Sequence, residues 1–309
     1  MIESNIDILQ LSQKMRERVS ERLEQHIDDV GSNSDLTRAI RYVLLAPGKR
    51  LRPLICLMSA QCLGGRIEDA IDPACAIEMI HTASLIIDDL PCMDDAEMRR
   101  GRAACHRRFG EATTILAALE LMSLGYRVMS AAPGLDDFRR TQLVQVLARA
   151  VGVNGLIGGQ ERDLAAERET DVDNTDTTDT NQVMAIHALK TGSLFVAAAE
   201  SGAIVAGLAG DQLIPIRDFA TQIGLAYQTL DDLLDKHATR GAAGKDVGKD
   251  ADKATLVAVL GSEAATIYVN NMIAGAMLAL QPLGPDMRPL ESFVQNAIGN
   301  VILGGNSLN

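Results

Sequence analysis

The sequence predicts an all-α fold, and three observations carry that prediction. Apolar residues recur at helical spacing over long stretches, strand alternation is nowhere sustained, and the apolar residues are aliphatic rather than aromatic. Hydrophobic residues make up 47% of the 309, aromatics 3%, and tryptophan is absent. A core of this chain must therefore be built from Leu, Ile, Val, Ala and Met, which suits helix packing better than a β-sandwich.

Taken in order, residues 1–30 place Ile8, Leu9, Leu11, Met15, Val19 and Leu23 on one face and read as one long helix. Gly31-Ser-Asn-Ser-Asp breaks it, and Ser34 or Asp35 caps a second helix that runs to Ala46-Pro47-Gly48. A third helix covers Arg52 to Leu63 and stops at Gly64-Gly65. Pro73 to Asp89 is apolar nearly all round, as expected of a buried central helix. Residues 111–130, 139–165, 181–208 and 215–236 supply four more helical patterns. The acidic run from Asp171 to Thr180 reads as a solvated loop. As a calcium loop it lacks the required glycine, and Gln182 stands where the bidentate Glu belongs. Thr239 to Lys249 reads as a second irregular segment. No linker divides the chain, so residues 1–309 are expected to form a single domain.

The formal net charge of −12 argues against nucleic-acid binding, which needs a basic surface. Cys56, Cys62, Cys75, Cys92 and Cys105 show no metal-ligand spacing and read as reduced thiols of a cytoplasmic protein. The first residues lack a basic and an apolar signal region, and no uncharged apolar run is long enough to cross a bilayer. The expectation is a cytoplasmic protein, not a membrane protein.

Two aspartate clusters carry the chemistry: Asp88-Asp89-Leu-Pro-Cys-Met-Asp94-Asp95 and Asp231-Asp232-Leu-Leu-Asp235, each ending an apolar run. Carboxylates packed this densely repel one another and are costly to bury unpaired. Hard divalent cations relieve that repulsion, and two oxygen-rich clusters suit Mg²⁺ held together with substrate phosphates. Asp231 and Asp235 share a helix face, with Gln228 one turn earlier. Asp88 and Asp94 would point about 120° apart on a straight helix. Pro91 should break the chain there and let both turn towards one ion.

Basic groups accompany the acids: Lys49, Arg50 and Arg52, Arg99 and Arg100, Lys190, and Lys245 to Lys253. Diphosphates need such partners, and arginine binds phosphate oxygens as a fork. Neither Gly48-Lys49-Arg50 nor Gly244-Lys245-Asp246 is a P-loop, because no Ser or Thr follows the lysine. His81 lies two turns before Asp88, close to the same face.

Lys49-Arg-Leu-Arg-Pro, Ile80-His through Asp95, Arg99-Arg-Gly, Phe109-Gly-Glu, Gly159-Gln-x-x-Asp, Lys190-Thr-Gly and Tyr227-Gln-x-x-Asp-Asp-x-x-Asp occur in that order. This series resembles the trans-isoprenyl diphosphate synthases. The resemblance implies the isoprenoid synthase fold, antiparallel helices around a deep central cavity, usually in a homodimer. It implies Mg²⁺, three ions per active site bridged by diphosphate, held by Asp88, Asp94, Asp231 and Asp235. It places Arg99, Lys190, Lys245 and Lys253 on the allylic diphosphate, whether dimethylallyl, geranyl or farnesyl. Lys49, Arg52, His81 and Arg100 match the positions that hold isopentenyl diphosphate. Asp88, Asp89, Asp94, Asp231, Asp232, Lys190, Thr191 and Gln228 form the implied catalytic set, with Thr191 and Gln228 offering oxygen dipoles to an allylic cation.

Product length is read at Ala83 and Ser84. Short-chain members often carry an aromatic five residues before the first Asp, where this chain has Ala83. Two small residues leave room for another isoprene unit and favour geranylgeranyl diphosphate, C20, as in bacterial carotenoid-type synthases. The alternatives are a farnesyl diphosphate synthase, making C15, and a non-catalytic regulatory subunit of a prenyltransferase. A terpene cyclase would not need the Lys49, Arg52 and His81 set. Where many relatives carry Ala-Gly-Asp-Ala, this chain has Ala117-Ala-Leu119-Glu.

Overall fold

A computed structural model describes the backbone of residues 2–31, 33–173, 180–237 and 255–302, with side chains of 2–7, 167–173, 235–237, 285 and 299–302 left undescribed. Helix follows helix, as the aliphatic composition predicts. The first four are α1 (Ile2–Asp28), α2 (Asp35–Leu44), α3 (Leu51–Cys62) and α4 (Ile67–Asp88). Ser34 caps α2, its side chain accepting from Thr37 N at 3.2 Å. A two-residue hairpin, β1 (Met98–Arg99) and β2 (Arg102–Ala103), leads to α5 (Cys105–Phe109), α6 (Glu111–Ser130), α7 (Asp137–Val151) and α8 (Leu156–Asp173). Next come α9 (Thr180–His187), a π-helical turn at Ala188–Gly192, α10 (Ser193–Val205) and α11 (Ile214–His237). The described part ends with α12 (Leu256–Leu260), α13 (Ser262–Leu280) and α14 (Arg288–Ile302).

The core sits around α10, which packs against α3, α4, α7 and α11. In turn α4 packs on α3 and α6, and α11 on α13. Phe195 and Phe219 are the aromatic members of the largest fully buried side chains, among leucines, isoleucines and methionines. Two buried carboxylates tie the layers. Asp72 of α4 accepts from Arg22 (2.6 and 2.9 Å) and His26 (2.9 Å) of α1. Glu200 of α10 is 1% exposed and joins Arg149 of α7 to Arg217 of α11.

Four boundaries differ from expectation. The expected helix 139–165 is two, α7 and α8, because Gly152 and Gly155 interrupt the backbone between them. The expected 181–208 helix is interrupted by the π-helical turn. The central helix begins at Ile67 with Pro73 inside it, its first turn carrying Glu68 and Asp69 as a helix N-terminus favours. Asp171–Asp173 of the expected loop belong to α8, and 174–179 lie outside the described residues. Helices α12 to α14 and the short hairpin were not anticipated. Ile67–Asp88 and Thr180–Val205 are long and apolar enough to cross a membrane, yet 72% of each window is buried in protein, as in core helices. The five cysteines are free thiols; Cys56, Cys75 and Cys105 are buried.

Candidate active site

Helix α4 stops at Asp88, and the chain turns sharply through Pro91. Asp94 N donates to Asp88 O at 2.9 Å, and Asp95 N to Leu90 O at 3.0 Å, so the turn folds the second acidic pair back onto the helix end. This is the expected break. Burial pushes the Asp88 carboxyl up to about 6; Lys190 pulls it down, while Asp94 adds to the rise. Lys190 thus bears on Asp88 from across the molecule.

The basic side is built on α3 and the loop before it. Arg50 has φ 50°, and its buried guanidinium donates to Leu44 O (2.6 Å) and Ala46 O (3.0 Å) and pairs with Glu78. That pins the loop carrying the exposed Lys49. Arg100, with φ 52°, approaches the same Glu78 at 3.9 Å. Asp95 is the third non-glycine residue with positive φ, at 44°. All three flank this site, where such local strain is commonly held. The Arg52 guanidinium lies 4.5 Å over the Phe195 ring and 3.3 Å from His81 Nε2. Burial, then Arg52 and Arg100, depress the His81 pKa well below its ordinary value. A neutral His81 therefore accepts from Arg52, which has only donors. Arg52 Nε is buried with no partner among the described residues.

The third side comes from the π-helical turn and α11. A Cβ on Gly159 would lie 2.3 Å from Lys190 N, and one on Gly224 would lie 2.7 Å from Gly192 Cα. Glycines at these positions let α8 and α11 close on the turn. Lys190 Nζ meets Asp163 Oδ2 at 2.5 Å. Thr191 Oγ1 donates to Gln228 Oε1 (2.6 Å), and Gln228 Nε2 to Asp232 Oδ1 (3.0 Å). Buried His187 stands 3.8 Å from Asp232, its pKa lowered to about 4 chiefly by burial.

The donor set fits Mg²⁺. Among the described residues no three carboxylate, imidazole or thiol side chains converge to hold a metal alone. Mg²⁺ is commonly held by one or two carboxylates plus substrate phosphates, and the half-buried Asp88 carboxyl is raised by desolvation and by Asp94 in spite of Lys190 and Arg99, a carboxylate that a divalent cation would relieve.

Of the expected residues, His81, Asp88 and Asp89 lie on α4 and its end, Asp94, Arg99 and Arg100 on the turn and hairpin after it, Arg52 on α3, Lys190 and Thr191 on the π-helical turn, and Gln228, Asp231 and Asp232 on α11. Arg99 donates to Asp89, from Nε at 2.8 Å. Lys245 and Lys253 lie outside the described residues. So does the Asp235 side chain, although its backbone belongs to α11. Ala83 is 1% exposed, and Ser84 Oγ donates to His81 O at 2.9 Å. Sequence reasoning assigned no role to Glu78, Asp163 or His187. Asp163 had a signal in Gly159-Gln-x-x-Asp; Glu78 and His187 read as isolated polar residues in apolar helices.

A model of the polyprenyl synthetase family matches residues 33–274. The chain is 40% identical over 256 residues to a geranylgeranyl diphosphate synthase of Pseudescherichia vulneris, covering 81% of this chain and 79% of that one. It is similar to an FPP/GFPP synthase of Zymomonas mobilis, with TM-score 0.83, 30% identity, and coverage of 95% and 99%. It is also similar to a geranyltransferase of Helicobacter pylori solved with magnesium and isoprenyl diphosphate, with TM-score 0.80, 27% identity, and coverage of 96% and 98%.

Proposed function

Since this chain belongs to the polyprenyl synthetase family, we propose that it condenses isopentenyl diphosphate with allylic diphosphates to give all-trans geranylgeranyl diphosphate. The observation that carries this reading is the Thr191–Gln228–Asp232 hydrogen-bond chain next to the Lys190–Asp163 pair, with the charge of Lys190 reaching Asp88 and Arg52 set against His81. Asp88, Asp94, Asp231 and Asp235 would hold Mg²⁺, three ions per site. When bound, Mg²⁺ supplies neutralisation of charge on the departing diphosphate.

The residues do the rest. Arg99, Lys190, Lys245 and Lys253 bind the allylic diphosphate and favour its departure. Lys49, Arg52, His81 and Arg100 hold isopentenyl diphosphate so that its double bond faces the allylic cation. Thr191 and Gln228 set oxygen dipoles beside that cation before it forms. Loss of a proton, taken by the released diphosphate, completes the transfer.

The C20 assignment rests on Ala83 and Ser84 and on the curated synthase relative. Residues 1–309 act as one domain, and the protein works in the cytoplasm, in keeping with its free thiols. We assign it to a homodimer through α6, whose Ile115, Leu116 and Leu119 are 42, 54 and 58% exposed along one face.

The test is product length from labelled isopentenyl diphosphate with dimethylallyl, geranyl or farnesyl diphosphate in turn, with Mg²⁺ and with EDTA. A C20 product abolished by EDTA supports the reading. A C15 endpoint favours a farnesyl diphosphate synthase. No product from any primer favours a regulatory subunit.

A further inference from the structure

The adjacent aspartates at the end of α4 serve different sides of the helix. Asp88 follows Ser84 and His81 by four and seven residues, and His81 meets Arg52. Asp89 follows Ile86, Leu85 and Thr82 by three, four and seven. These four line one small cavity, together with Tyr42 of α2, Cys105 of α5 and the side chains of Arg99 and Arg100. Consecutive helical residues point about 100° apart, so the two carboxylates do not converge on one ion.

Asp89 is 1% exposed. Its Oδ1 accepts from both Nε and Nη2 of Arg99. Its Oδ2 and the Thr82 hydroxyl are buried with no partner among the described residues. Both residues line the cavity, where water would satisfy the two oxygens. Arg99 has five N–H donors, and the contact with Asp89 uses two of them. Nη1 and the second N–H of Nη2 remain for a phosphate oxygen.

We propose that Asp89 is a positioning residue: it holds no metal, and instead fixes the Arg99 guanidinium so that its remaining donors face the allylic diphosphate. A carboxylate gripped by two N–H groups resists rotation about the long arginine side chain, so the donors are set before substrate arrives. Asp88 and Asp94 are left as the carboxylates of this cluster that face the metal. The proposal rests on the prenyl-transfer reading above.

The experiment titrates wild-type protein and the Asp89→Asn, Arg99→Met and double variants with inorganic diphosphate and Mn²⁺. Calorimetry reads diphosphate affinity, and electron paramagnetic resonance counts bound Mn²⁺. Each single variant should weaken diphosphate binding roughly tenfold, the size of one charge-assisted contact. The double variant should lose no more than Arg99→Met alone, because the two residues act as a unit. Bound Mn²⁺ should be unchanged in all three, whereas Asp88→Asn should lose an ion.

Loss of Mn²⁺ in Asp89→Asn, or additive losses in the double variant, overturns the proposal alone. A wild-type protein that takes up no diphosphate overturns the prenyl-transfer reading and the proposal with it. Should Asp89→Asn fail to fold, Arg99→Lys reads the same contact from the other side, since lysine keeps the charge but not the two-donor grip. Roughly tenfold weaker binding in that variant supports the proposal, and wild-type affinity overturns it.

Discussion

Ala83 and Gln228 show how single residues set this chemistry. Ala83 lies three residues beyond Ile80, whose side chain would be met at 3.2 Å by a Cβ on Gly125 of α6. It therefore sits near the side of α4 that packs against α6, one turn and a half below Asp88. Ala83→Tyr should shorten the product from C20 to C15 with turnover largely kept, as read by chromatography of dephosphorylated products; persistence of C20 would put the pocket floor elsewhere. Gln228 is the middle of a three-residue chain, accepting from Thr191 and donating to Asp232. Gln228→Leu removes both contacts and an oxygen dipole, so kcat should fall on the order of tenfold to a hundredfold. Steady-state kinetics with a larger effect on KM than on kcat would contradict that role.

At the scale of elements, close contacts do the positioning. α8 reaches the π-helical turn because Gly159 has no side chain, and that contact brings Asp163 to Lys190. Gly159→Ala should push the two apart, costing about 1–3 kcal/mol of stability and lowering activity together; an unchanged melting temperature would contradict the packing argument. The tie between α1 and α4 is electrostatic. Burial raises the Asp72 carboxyl, but hydrogen bonds and charge from His26 and Arg22 outweigh it and bring the pKa to about 2, below its ordinary 3.8. The sign follows directly: a carboxyl depressed on folding stabilises above its unfolded pKa and loses that contribution as pH falls through the folded one. The contribution is about 2 kcal/mol, present above pH 4 and fading towards pH 2. Asp72→Asn should lower unfolding free energy in urea at pH 7 and show a much smaller difference from wild type near pH 2.

For the whole molecule, the exposed stripe of α6 is an apolar face without an internal partner among the described residues. Ile115, Leu116 and Leu119 are 42, 54 and 58% exposed along it. Leu116→Glu should shift the proposed dimer to monomer in light scattering, since burying an unpaired carboxylate is costly. A dimer of wild-type stability in that variant would place the interface on another face.

The sequence by itself determined the helical class, through aliphatic periodicity, and the presence of two acidic clusters with their basic companions, through motifs whose residue types have few other uses. It determined the break after Asp88 as well, because Pro91 acts locally. Tertiary structure alone decided which side each group serves. Asp88 and Asp89 are equivalent as letters, yet one lies within reach of Lys190's charge and the other is clamped by Arg99 beside a small cavity. Glu78, buried beneath Arg50 and Arg100, looked like an odd acid in an apolar helix until its partners, far away in sequence, were brought to it. The π-helical turn likewise depends on Gly159 and Gly224 approaching it from other helices. Periodicity reports what one helix hides, whereas the direction of a carboxylate or guanidinium is fixed by neighbours that only folding supplies.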